Sequence, residues 1–214
     1  MILLTGFEPF GGEAVNPSWL AAEEAARILR AEGLDAVAVQ LPCAFGRSLE
    51  VLAAAVAEHR PALVVSAGQA GGRAAVSLER VAINCDDARI PDNAGAQPVD
   101  EPVEPAGPAA CFSTLPVKAA LQALRAQGIP AEVSQTAGTY VCNHVFYGLM
   151  RLAESVSWPM RGGFVHVPFA PEQLPPSDTR PSLPVGTMAA ALAGVVRTAL
   201  ATTEDLKIPA GATH

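Results

Sequence analysis

Basic residues are scarce in this chain: 14 Lys and Arg stand against 21 Asp and Glu, a net charge of −7. So acidic a surface offers phosphates no basic track, which argues against nucleic acid as a partner. Cysteines are few and far apart, at positions 43, 85, 111 and 142, and no CxxC or HExxH pattern occurs. Neither a zinc site nor a redox dithiol is indicated, and no metal or other cofactor is expected. Long apolar runs are missing as well. The N-terminal MILLTGFEPFGG lacks the basic n-region and the run length of a signal peptide. Val185 to Leu200 is the most apolar late stretch, but Gly186, Gly194 and Arg197 interrupt it before it could cross a bilayer. A soluble cytoplasmic protein with reduced thiols and no membrane partner is the expectation. Gly68-Gln69-Ala70-Gly71-Gly72 does not match GxGxxG, and no Lys-Ser or Lys-Thr follows as a P-loop requires. Internal repeats and low-complexity segments are absent too.

What is present is a globular composition. Half of the 214 residues are hydrophobic and only 16% are charged, enough for one sizeable core. Ile2 to Leu4 read as a short strand that breaks at Gly6. Asn16-Pro17-Ser18 then opens a helix to about Ala31, with Asn16 as N-cap and Pro17 at the first helical position. Ala36 to Leu41 form a second strand, Arg47 to His59 a second helix, and Ala62 to Ala67 a third strand, apolar enough to be buried on both faces. This βαβαβ order predicts an α/β three-layer sandwich around a substantially parallel sheet. Ala74 to Asn84 alternate as one further strand, with Ser77, Glu79, Val81 and Ile83 on one face. Pro116 to Gln127 and about Thr187 to Ala201 read as helices, and Ala131 to Ser134 and Gly162 to Phe169 as strands. Proline-rich stretches near 97–115 and 168–184 are expected to be mobile loops within a single domain spanning 1–214.

Chemistry concentrates in Ser134 to Met150, SQTAGTYVCNHVFYGLM. Apolar residues at Val141, Val145, Phe146 and Leu149 have helical spacing, which puts Cys142 at the N-terminus of a helix. Unpaired backbone N–H groups there favour a thiolate, the nucleophilic form. The competing reading is a buried cysteine acting as a small hydrophobe. A nucleophilic cysteine needs a base. His144 lies two residues on, where a helix points it elsewhere; His59 sits at a helix end and His214 at the end of the chain. His166 is near the end of a strand, where side chains meet in α/β sheets, although a core histidine fits that position as well. Glu79 is either an orienting carboxylate or one paired with an arginine at a strand edge. Phe7 and Phe10 either fold back on the core or wall an apolar ligand site, and Asn16 is adequately explained as a cap.

The chain resembles the type I pyroglutamyl peptidases. The matching segments are LLTGFEPFGG with VNPSW, GQAGGR with SLERVAIN, ARIPDNAG, TAGTYVCNHVFYGLM and GFVHVPF, in family order and spacing. The resemblance implies a cysteine peptidase that removes N-terminal pyroglutamate from peptides, with Cys142 as nucleophile, His166 as base and Glu79 as orienter. It further implies a single α/β/α sandwich with a mixed central sheet, assembled as a homotetramer. Phe7 and Phe10 correspond to an aromatic clamp on the ring, with Asn16 supporting their loop. Gln69 corresponds to the backbone that recognises the lactam, Ile90, Tyr140 and Val141 to pocket wall, and Arg89 to an arginine near the oxyanion. The pattern departs at Gln135 and at Cys85-Asp86. Two rival classes remain: a non-catalytic pyroglutamyl-binding protein, and a phosphorylase-like transferase on a similar sandwich. The transferase would need a phosphate site, and no arginine cluster at strand ends presents one.

Overall fold

The computed structural model describes residues 1–211, so His214 lies outside the described residues. Six strands form the central sheet: β1 (Ile2–Phe7), β2 (Ala36–Leu41), β3 (Leu63–Gln69), β4 (Val76–Glu79), β7 (Ala131–Ser134) and β8 (Arg161–Val167). Their order across the sheet is β2-β1-β3-β8-β4-β7. All neighbours are parallel except β4 and β8, which meet antiparallel with Ser77 opposite His166. The sheet is therefore mixed and largely parallel.

Two helical layers cover it. On one face α1 (Pro17–Ala31), α3 (Val117–Ala126) and α5 (Val185–Ala201) pack against Ile2, Leu4, Val65, Leu78, Val165 and Val167. On the other, α2 (Arg47–His59) and α4 (Val141–Ser155) pack against Leu3, Phe7, Val64 and Phe164. Alternation along the strands decides which face each residue serves. It sends Gly68 and His166 to the α4 side, because Val64 and Phe164 precede them by four and two residues, and Glu79 as well, because Val76 and Leu78 face the other layer.

The sequence reading needs correction between residues 74 and 84. The chain makes two strands there, β4 and then β5 (Val81–Ile83), and β5 leaves the main sheet to pair antiparallel with β6 (Ala110–Phe112). Arg80 is the switch point: its N–H donates to the Ser134 carbonyl and its own carbonyl accepts from Ser113 N–H. Val81 and Ile83 therefore do not continue the face that carries Glu79. The same pairing places a strand inside the 97–115 stretch expected to be loop. β1 runs through Gly6 to Phe7; a Cβ at Gly6 would come 2.5 Å from the Ser18 carbonyl oxygen, so this glycine allows β1 to lie against the start of α1.

Candidate active site

Cys142 is the second residue of α4, held by an N-terminal turn that begins at Tyr140. Asn143 anchors that turn. It is 1% exposed, its Nδ2 donates to the carbonyls of Ile83 and Cys85, and its Oδ1 accepts from Ile83 N–H. The adjacent His144 is committed elsewhere. Its Nδ1 faces Asp86 Oδ2 at 2.7 Å, and its Nε2 accepts from Gly46 N–H at 3.0 Å. With both ring nitrogens engaged, His144 serves as a buried brace, and the unexpected Asp86 is its partner.

His166, 4% exposed on β8, faces the thiol's side of the sheet. Its Nδ1 lies 2.8 Å from Glu79 Oε1. A carboxylate only accepts, so Nδ1 carries the proton and Nε2 is left as a free acceptor. Glu79 is fully buried, and the same Oε1 accepts from Arg73 Nη1 at 2.6 Å. Arg73 also donates to the Thr136 carbonyl, at the root of the loop that leads into α4.

Gly68 makes room for the sulfur. It pairs with His166 in the β3–β8 register. A Cβ at that position would stand 2.7 Å from Cys142 Sγ and 2.8 Å from the Phe164 ring. The requirement is for empty space next to the thiol.

The helix N-terminus was expected to ease ionisation of Cys142, but burial reverses the direction. Desolvation pushes the thiol up, with Cys43 and Glu79 adding to the shift and Arg73 opposing it. Burial likewise pushes His166 below its ordinary value; Glu79 offsets part of this and Arg73 adds to the fall. Both directions favour a neutral thiol beside a neutral imidazole at rest. No hydrogen bond joins the two among the described residues; such contacts commonly tighten when substrate binds.

Cys142 and His166 line a cavity of about 150 Å³ with Phe7, Phe10, Asn16, Cys43, Gln69, Ala137 and Tyr140. Phe7 is 2% exposed, packs on Phe164 at 6.4 Å and also lines the hollow. Asn16 Oδ1 accepts from Ser18 N–H as the cap of α1, and its Nδ2 donates to the Glu8 carbonyl. Glu8 Oε1 accepts from Cys43 N–H and Asn93 Nδ2, which fixes the loop that carries Phe10. Tyr140 stands 6.3 Å from Phe10 and edge-on to Phe45. Gln69 Oε1 accepts from Gln173 Nε2 of the second proline-rich stretch.

Three residues implied by the resemblance lie outside this lining. Arg89 is exposed, Ile90 is half-buried, and Val141 belongs to the apolar core of the α2/α4 face. Sequence reasoning in turn missed Arg73, Cys43, Ala137 and Gly68. The available signal was in GQAGGR, where Gly68 is the last residue but one of a strand beside the site and an arginine follows two glycines. A larger hollow bordered by Arg80, Phe112 and Asp205 holds no nucleophile–base pair. No group of three or more His, Cys, Asp or Glu among the described residues could hold a metal ion.

Known proteins share this arrangement of the chain. The pyroglutamyl peptidase family model matches residues 1–202. A pyrrolidone-carboxylate peptidase of Streptomyces coelicolor is 56% identical over 218 residues, covering 100% of this chain and 99% of that protein. The protein of that name from Erwinia tasmaniensis is 55% identical, with the same coverage. A solved structure, pyroglutamyl peptidase I of Bacillus amyloliquefaciens, has a TM-score of 0.91 at 46% identity, covering 97% of this chain and 98% of that one. The pyrrolidone carboxyl peptidase of Thermococcus litoralis gives 0.89 at 36% identity, with the same coverage of each chain. With its site geometry carried on a sheet and sequence matched from end to end in these proteins, the chain belongs to the pyroglutamyl peptidase family of cysteine hydrolases.

Proposed function

We propose that the chain removes N-terminal pyroglutamate from peptides through an acyl-enzyme on Cys142, with His166 as general base and Glu79 as its orienter. The observation that carries this reading is one small cavity lined by both a thiol and a carboxylate-oriented imidazole. The free Nε2 of His166 takes the thiol proton as sulfur attacks the pyroglutamyl carbonyl, and then hands it to the departing amine. Backbone N–H groups at the first turn of α4 are unpaired by the helix itself and suit the developing oxyanion. Water, deprotonated by the same imidazole, resolves the thioester.

The cavity's chemistry supports the substrate. Pyroglutamate is an uncharged five-membered lactam without a free α-amine. Phe7, Phe10 and Tyr140 offer ring faces to it, and the backbone near Gln69 offers polar groups to the lactam. A charged N-terminal amine would lose its hydration there without a carboxylate partner in the lining, so free N-terminal glutamine or proline is disfavoured. Cytoplasmic residence and a homotetramer complete the proposal, the latter on resemblance alone; sedimentation equilibrium checks it. No helix among the described residues is long and apolar enough to cross a membrane.

The test is release of aminomethylcoumarin from its pyroglutamyl amide by wild type and Cys142→Ala. Wild type turns over, and the variant falls to background. Absence of turnover by freshly reduced wild type would favour a binding protein, and equal rates in both would remove Cys142 from the mechanism.

A further inference from the structure

Among the described residues, Arg73 is the one whose side chain hydrogen-bonds both to the orienting carboxylate and to the loop leading to the nucleophile. Its Nη1 donates to Glu79 Oε1 at 2.6 Å and its Nη2 to the Thr136 carbonyl at 3.0 Å. Glu79 is fully buried, and its Oε2 has no hydrogen-bond partner among the described residues. Both hydrogen bonds to the carboxylate therefore fall on Oε1, which Arg73 shares with His166 Nδ1.

Charge balance gives that sharing a consequence. A buried carboxylate requires a compensating positive charge or a proton. With Arg73 present the cluster is neutral while the imidazole is neutral. Without it, neutrality requires either an imidazolium, which cannot accept the thiol proton, or a protonated Glu79, which no longer fixes the tautomer. We propose that Arg73 is a positioning residue of the peptidase: its charge on Glu79 Oε1 keeps His166 free to act as a base at acidic and neutral pH. The inference rests on the proposed acyl-transfer reading for its meaning in catalysis, but its electrostatic content does not.

The alternative is an ordinary partly exposed ion pair, and such pairs are worth little. That reading fails to account for the partner, which is neither at the surface nor free to turn away. The groups that face His166 come from each surrounding element: Glu79 from β4, Arg73 from the loop after β3, Cys142 from α4, and Cys43 and the Tyr140 hydroxyl across the cavity. Arg73 is the only cation among them, and it disfavours a proton on the imidazole.

The experiment compares wild type, Arg73→Gln and Arg73→Lys in two ways. The first is kcat/KM for the pyroglutamyl coumarin amide across pH. The second is the His166 ring titration followed by NMR, which needs no turnover. For Arg73→Gln, the acid limb and the ring titration both move up by about one pH unit, as expected on losing a cation a few ångströms away. Well below the limb, that is an approximately tenfold loss of kcat/KM relative to wild type. KM in the plateau stays unchanged, because Arg73 does not line the cavity. Arg73→Lys keeps the charge and returns both curves to within a few tenths of a unit of wild type. An unmoved or lowered limb in a folded Arg73→Gln overturns the inference. So does Arg73→Lys displaced by about one pH unit from wild type, a comparison that decides the matter without the glutamine variant if Arg73→Gln does not fold. A wild type inactive on the amide but with a normal His166 shift in Arg73→Gln would refute the peptidase reading and leave the electrostatic role standing.

Discussion

Adding one methyl group, by Gly68→Ala, should disable the site while leaving most of the fold intact. The backbone at Gly68 has an ordinary φ, so alanine meets no conformational penalty. Space is the difficulty. The new Cβ would lie 2.7 Å from Cys142 Sγ and 2.8 Å from Phe164 Cζ. Ordinary contact begins near ~3.5 Å, so the sulfur must retreat by about 0.8 Å or the ring must give way. Phe164 is fully buried and packed between Phe7 and Phe146, which leaves the thiol as the softer neighbour. Overpacking of this kind costs about 1–3 kcal/mol of stability. Misplacing a reacting atom by about 1 Å can cost roughly 100-fold in rate. The expected outcome is a kcat/KM on the coumarin amide lowered by about 30- to 100-fold, with a single cooperative urea transition at a reduced midpoint. Alkylation of Cys142 by iodoacetamide should slow in parallel. Wild-type kcat/KM in a folded Gly68→Ala protein would refute the argument, because it would mean that the sulfur does not occupy the space beside β3.

Two other expectations follow from burial. The Cys142 thiol lies above its ordinary 9.0 and His166 below its ordinary 6.5, so iodoacetamide alkylation should keep rising to pH 9 without an early plateau; a plateau starting below pH 6 would indicate a resting thiolate–imidazolium pair instead. The same depressed histidine makes stability pH-dependent: the unfolded chain takes up the proton first, so stability held above pH 6.5 is lost as pH falls through the lower folded value, which urea midpoints between pH 7 and 5 would show. Asn143→Ala, which strands three backbone groups of Ile83 and Cys85, should cost roughly 2–4 kcal/mol in chemical denaturation, and a loss below ~1 kcal/mol would mean that water replaces the amide.

The layers of this fold were legible because they depend on local pattern. Apolar runs at Ala62 to Ala67 and helical spacing from Val141 identify a buried strand and a packed helix whatever lies beside them. The break at Arg80 was not legible. No glycine or proline marks a strand end between Ser77 and Ile83, and it is the two backbone bonds of Arg80, its N–H to the Ser134 carbonyl and its carbonyl from Ser113 N–H, that hand the run from one sheet to the other. Direction of charge was misread at Cys142 for a related reason. A helix end is a local feature, whereas the closure that raises the thiol needs Phe7, Tyr140 and Gln69 from three separate segments. His144 could be set aside from its spacing alone, yet its partner Asp86 and the Gly46 N–H it accepts from could not have been named. Arg73 was hidden because loop residues carry no periodicity from which to infer a facing partner.

The order of strands has a consequence for how the molecule comes into being on the ribosome. β3 and β4 are neighbours in sequence but not in the sheet, because β8 lies between them. The last strand to be synthesised is thus the one that joins the β2-β1-β3 half to the β4-β7 half, and it brings His166 with it. Pairing partners so distant in sequence form late and slowly. A chain that stops short of residue 161 would lack the strand that pairs with both β3 and β4, and with it His166. The strand that closes the sheet is thus also the one that carries the imidazole to the thiol, so a chain without β8 lacks both.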